Sequence, residues 1–98
     1  MGTVLRRTNK SYKVTTSRLV TVNTGSPTQI AITSAAFAVN LTNVGPTRLT
    51  WGDSSITNGS GGLLFYSQSK TIEPIQHNFT VFMTADSAAG VVAVNEMR

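Results

Sequence analysis

Residues 37–53 read FAVNLTNVGPTRLTWGD, and this stretch decides the predicted fold. Its apolar side chains stand two residues apart, which is the period of a β-strand with one buried face. An Asn-Val-Gly-Pro segment interrupts the alternation with residues that favour a turn. The pattern therefore predicts a β-hairpin. Its buried face would carry Phe37, Val39, Leu41, Leu49 and Trp51.

The rest of the chain repeats this pattern of short alternating segments separated by turn residues. A glycine-rich stretch at 54–62 predicts a flexible loop. The fold class that follows is all-β, a small β-sandwich or barrel of about seven or eight short antiparallel strands. The other predicted strands are residues 18–24, 28–33, 63–66, 70–73, 78–84 and 91–95, of which the last two would form a second hairpin.

Positive charge is concentrated at the N-terminus. Residues 1–18 hold five basic side chains and no acid, whereas residues 19–98 hold three basic and four acidic ones. Because segment 1–17 is poor in apolar residues, we predict an extended basic arm that a partner orders, followed by a β-sandwich domain over 18–98. The predicted partner contacts here are Arg6, Arg7, Lys10, Tyr12, Lys13 and Arg18.

Hydroxyl and amide side chains dominate the polar positions. The chain has fifteen threonines, ten serines and seven asparagines, while charged residues make up only 12 %. Such a surface is easily desolvated, which suits a protein that works in contact with others, although an ordinary β-domain can have the same composition. No apolar run approaches the roughly 20 residues that span a membrane, so no membrane partner is expected.

The sequence does not predict an enzyme, a metal site or a cofactor. His77 is the single histidine, no cysteine is present, and no Gly-x-Ser-x-Gly segment supplies a nucleophile. The glycine-rich loop lacks the lysine and the following helix of a phosphate-binding loop. The domain also lacks the interleaved basic and aromatic residues that bind nucleic acid. A carbohydrate-binding platform built from Trp51, Phe65 or Tyr66 remains an alternative.

Residues 37–45 and 51–53, the glycine-rich loop, the strand at 63–66 and the closing segment 91–96 together resemble a known family. They are similar to small β-sandwich virion proteins of tailed double-stranded DNA bacteriophages. The resemblance covers roughly residues 28–96. It implies a virion structural protein, made in the host bacterial cytoplasm and incorporated into the particle.

Among such proteins the chain most resembles a capsid decoration, or cement, protein. That resemblance implies binding to the major capsid protein or other virion proteins, and a homo-oligomer, with a trimer favoured by analogy. Accessory tail, baseplate or head-fibre proteins of the same fold are the alternative. Turn and loop residues would add contacts, namely Asn43, Val44, Asn58 and Ser60.

Overall fold

The structure, a computed structural model, describes residues 13–32, 36–73, 75 and 79–98. These residues form eight β-strands and confirm the all-β prediction. In chain order the strands are β1 (Val14–Val22), β2 (Thr28–Ala31), β3 (Ala38–Gly45), β4 (Leu49–Gly52), β5 (Gly62–Leu64), β6 (Ser69–Ile72), β7 (Thr80–Ala85) and β8 (Gly90–Met97).

The strands form two antiparallel sheets that face each other. Sheet 1 has the order β1-β8-β3-β6, and sheet 2 has the order β2-β7-β4-β5. Only β4 and β5 are neighbours both in sequence and in a sheet, so six of the seven connections cross between the sheets. This crossing pattern is the arrangement of an eight-stranded jelly roll, which is a sandwich rather than a closed barrel.

Neither predicted hairpin is present. β3 lies in sheet 1 and β4 in sheet 2, so residues 37–53 form a corner between the sheets; β7 and β8 are divided in the same way. The prediction was wrong because alternation shows which side chains are buried, but not which strand lies beside them. Two strands that face each other across a core have the same pattern as two strands paired in a hairpin.

The core lies between the sheets and is formed by the alternate residues that point inward. Of the five side chains predicted to share a buried face, Val39, Leu41 and Leu49 are fully buried, and Trp51 is half-buried against the core. Phe37 is 55 % exposed, contrary to prediction, because β3 begins one residue later and leaves it at the end of the sheet. The buried apolar cluster also includes Val22, Ile30, Ile32, Leu64, Val81, Met83, Val92 and Val94.

Strand β1 begins earlier than the sequence predicts. Residues 14–17, assigned to the arm, belong to β1 and pair with β8. The polar Thr and Ser residues there gave no apolar signal, yet their branched or small side chains fit an exposed strand face. Of the predicted arm, residues 1–12 lie outside the described residues.

The corner between β3 and β4 is held by the buried amide of Asn43. Its Nδ2 donates hydrogen bonds to the backbone oxygens of Thr47 and Leu64, each at 2.8 Å, and its Oδ1 accepts one from the Gly45 N–H at 2.8 Å. Leu64 lies in β5, so one side chain of sheet 1 bonds to the backbone of sheet 2. Asn43 is fully buried, so it is not the loop contact that the sequence predicted.

We predict that Asn43→Ala lowers the free energy of unfolding by at least about 3 kcal/mol, because it leaves two buried carbonyl oxygens and one N–H without their partner. Urea denaturation followed by Trp51 fluorescence measures the change. The control is Asn40→Ala, since that amide lies half-buried on the outer side of the same strand; it should cost within about 1 kcal/mol. Equal losses for the two variants would contradict the role of Asn43.

Candidate partner-binding surface

Within the four strands of sheet 1, no charged side chain points to the outer side. The strand registers place its side chains in rows across all four strands. One row consists of Ser17, Asn95, Asn40 and Thr71, and the next consists of Leu19, Ala93, Thr42 and Ser69. We call these eight residues, together with Thr21 and Val91 in the following row, the uncharged face.

Polar groups on the uncharged face bond to one another. Ser17 Oγ donates to Asn95 Oδ1 at 2.7 Å, and Asn40 Nδ2 donates to Thr71 Oγ1 at 3.0 Å. Between the rows, Thr42 Oγ1 donates to Asn40 Oδ1 at 3.0 Å.

Because the Thr42 hydroxyl has a single proton, it accepts its bond with Ser69 Oγ at 2.7 Å. A partner that covers the uncharged face therefore leaves these bonds intact, which lowers the cost of removing water from the groups that make them; it must supply partners for the remaining donors, such as the Asn95 amide N–H groups.

An apolar groove adjoins the uncharged face at Val91. It encloses about 490 Å³ between Val44, Gly45, Pro46, Tyr66 and Val91. The Tyr66 ring lies directly on Gly45, whose φ of +108° and missing side chain permit that approach; a Cβ there would come within 2.9 Å of the ring. Tyr66 is 65 % exposed, so the groove offers an aromatic wall to a partner.

The outer side of sheet 2 is covered by the chain itself. Residues 53–61 fold back over β4, where Ile56 is buried and the Gly59 N–H donates to Thr50 Oγ1 at 3.0 Å. Thr50 and Thr84, which point outward from sheet 2, are consequently buried. Within the part of the chain that the structure describes, only the outer face of sheet 1 is open over its central strands.

The covering loop, which the glycines predict to be flexible, contains hydrogen-bonded turns. The Ser55 hydroxyl and N–H donate to Asp53 Oδ1 at 2.6 and 2.9 Å. The hydroxyl bond, followed by the N–H bond, lowers the pKa of the Asp53 carboxyl below its ordinary value. Of the predicted loop contacts, Asn58 and Ser60 are exposed in this loop on the side of sheet 2, whereas Val44 lines the groove.

The predicted arm contacts are only partly within the described residues. Arg6, Arg7, Lys10 and Tyr12 lie outside them. Lys13 is exposed, and its backbone exchanges two hydrogen bonds with Arg98, at 3.1 and 3.0 Å. The Arg98 guanidinium lies 6.0 Å from the centre of the exposed Phe37 ring. The arm therefore enters sheet 1 at an end that carries two cations.

Arg18 has an internal role that contradicts its prediction as a partner contact. Its Nη1 donates to Glu96 Oε2 at 2.7 Å, and its Nη2 donates to the Ala31 carbonyl at 2.7 Å. Glu96 is fully buried on the core side of β8, and Arg18 is one-third exposed at the edge of the sandwich. One guanidinium thus joins β1 and β8 of sheet 1 to β2 of sheet 2. Sequence reasoning missed Glu96, although it continues the inward alternation of Val92 and Val94.

Replacing Arg18 by Met should lower the free energy of unfolding by at least about 2 kcal/mol, because the buried Glu96 carboxylate loses its guanidinium. The double variant Arg18→Met/Glu96→Gln should recover part of that loss, since glutamine brings no charge into the buried position. Thermal and urea denaturation measure both. Lys13→Met, which removes an exposed cation next to the same strand, is the control and should change stability little. A loss for Arg18→Met no larger than the control's would refute the assignment.

The three aromatic residues of the carbohydrate-binding alternative do not form one platform. Trp51 packs against the core, and the Lys70 ammonium lies 5.9 Å from its ring centre. Phe65 and Tyr66 lie beyond the end of β5 in a turn, where Ser67 has a positive φ of 68°. The strand predicted at 63–66 is therefore shorter than expected, and its two aromatic residues are exposed.

Within the described residues, no three His, Cys, Asp or Glu side chains lie close enough to hold a metal ion. These residues also contain no helix of the length and apolarity needed to cross a membrane. His77 lies outside them. A scan against protein-family models, a search of curated proteins and a search of solved structures found no match for the chain.

Proposed function

We propose that this protein is a structural protein of a phage virion, a decoration protein that docks on the assembled head through its uncharged face. The observation that carries the proposal is the pattern of hydrogen bonds on that face. The hydroxyls of Ser17 and Thr42 already donate to the amide oxygens of Asn95 and Asn40, and Asn40 Nδ2 donates to Thr71, so covering these bonded groups costs less than covering free ones. A purely solvated surface would instead expose charges, which resist removal from water.

The groove extends the proposed contact beyond the sheet. Val44, Pro46 and Tyr66 form an exposed apolar edge next to Val91. Aromatic residues at the margin of a contact surface supply large buried area for little lost conformational freedom. A capsid protein side chain inserted here would fix the orientation of the decoration protein on the shell.

Stabilisation of the head follows from mass action in this proposal. A protein that binds neighbouring major capsid subunits in the closed shell, and not in the opened shell, shifts the equilibrium toward the closed shell. Many copies act together, because each bound copy adds its own contribution. The basic residues Arg6, Arg7, Lys10 and Lys13 would steer the arm toward acidic patches on the capsid surface.

Ala93→Lys tests the docking face most directly, since Ala93 lies on the central strand of sheet 1, between Leu19 and Thr42. A lysine here would be desolvated without a partner. We therefore expect the affinity of the variant protein for decoration-free heads to fall at least about thirtyfold. Co-sedimentation with such heads measures the binding. The matched control, Ser54→Lys in the exposed loop of sheet 2, should bind like the unchanged protein. Undiminished binding of Ala93→Lys would refute docking through this face.

Location in the particle distinguishes the proposal from its alternatives. Immunogold labelling of purified virions should place the chain on heads, and heads that lack it should open at lower temperature. Labelling of tails or baseplates would support the accessory tail alternative instead. A chain absent from particles that binds a glycan array would favour the carbohydrate-binding alternative and would overturn the virion proposal.

A further inference from the structure

The outward edge of β1 carries backbone hydrogen-bonding groups at regular intervals. The N–H and C=O of Arg98 both bond to Lys13, on the β1 side of β8. The Met97 carbonyl instead accepts from the Phe37 N–H, on the β3 side. By strict alternation along β8, Glu96, Val94, Val92 and Gly90 direct their backbone groups toward β1, where their partners are Thr16, Arg18, Val20 and Val22. The residues of β1 between their partners therefore direct N–H and C=O away from β8; these residues are Ser17, Leu19 and Thr21.

Among the described residues, no further strand pairs with this edge, and it carries few of the features by which proteins protect exposed strands. It is nine residues long, while the other three edge strands have three or four. It has no proline and no acid, and its single charge, Arg18, points inward to Glu96. The bulge between Val14 and Thr16 disturbs the pairing only at the start of the strand. Leu19, at the middle of the edge, is 69 % exposed. Such an edge is a template for another strand.

We propose that β1 pairs antiparallel with β1 of a second copy of this chain, around a two-fold axis at Leu19. In this register Leu19 lies opposite Leu19 of the second copy, and Ser17 lies opposite Thr21. All three outward-directed residues of each copy then exchange bonds in about six backbone hydrogen bonds. The two sheets become one continuous sheet of eight strands.

Charge disfavours the neighbouring two-fold register, which is centred on Arg18. Pairing centred on Arg18 would set two guanidinium groups opposite each other and would use the bulged residue Thr15. Centred on Leu19, each Arg18 lies beside Val20 of the second copy. A self-complementary edge favours a second copy over an unrelated strand, because one two-fold axis satisfies both edges at once.

The pairing doubles the uncharged face, because Leu19 and its row lie on the outer side of sheet 1. This inference does not rest on the proposed function, since it follows from the backbone alternation and the charges of β1. It specifies a two-fold dimer rather than the trimer implied by resemblance. Edge pairing buries less surface than a typical interface of about 1,600 Å², so we expect dissociation in the micromolar range.

Disulfide trapping in the full chain tests the register, because the natural sequence has no cysteine. Directly opposed residues in a hydrogen-bonded antiparallel pair have Cα atoms about 5.5 Å apart, within disulfide range. Leu19→Cys should therefore form a covalent dimer under mild oxidation. A mixture of Ser17→Cys and Thr21→Cys should form the mixed dimer in preference to either homodimer. Gln29→Cys, at the exposed edge of sheet 2, is the matched control and should remain monomeric.

Sedimentation equilibrium provides the second measurement. The unchanged protein should dimerise with rising concentration, and Leu19→Lys should weaken dimerisation at least about tenfold, because it opposes two like charges. Gln29→Lys should leave dimerisation unchanged. A protein that stays monomeric or forms a trimer at every concentration would overturn the proposal. Cross-linking of Gln29→Cys as efficient as that of Leu19→Cys would also overturn it.

Discussion

The buried amide of Asn43 is the interaction on which the arrangement of the two sheets depends. It bonds to the backbone on both sides of the corner between β3 and β4, and to β5 in the opposite sheet. Since six of the seven strand connections cross between the sheets, strands consecutive in the sequence pair directly only at β4 and β5, and the other connections turn corners between the sheets. A side chain that donates twice and accepts once, without access to water, defines one geometry for this corner.

The crossing topology leaves the two outer faces of the sandwich covered to different extents. In sheet 2 the long connection after β4 has room to fold back, and it covers Thr50 and Thr84. In sheet 1 the central strands β8 and β3 stay open, and their hydroxyl and amide groups bond along the rows. The scarcity of charge in the composition thus reflects one particular surface. That surface is continuous with the exposed edge of β1, where Leu19 contributes to both.

The sequence predicted those features of the fold that depend on residues close together in the chain. Alternation identified the all-β class and the burial of Val39, Leu41 and Leu49. It did not predict strand pairing, because the partners of β3 in β6 and β8 lie 27 to 59 residues away along the chain, and periodicity contains no information on such separations.

The same limit explains the misassigned site residues. Asn43 and Arg18 are polar side chains next to turns and strands, where exposure is the usual outcome. Their burial or pairing depends on Leu64, Ala31 and Glu96, which only the folded chain brings near. The composition indicated a surface poor in charge. Locating that surface on the outer side of sheet 1 required the registers of its four strands.

In the proposed function, the outer side of sheet 1 is the surface that binds the phage head. Cryo-electron microscopy of the assembled particle, at a resolution that shows side chains, would show which outer face lies against the shell. Docking through the uncharged face predicts that Asn40, Thr42 and Ala93 lie against capsid subunits while the loop at 53–61 faces solvent. A map in which the loop contacts the particle and the uncharged face is bare would contradict it.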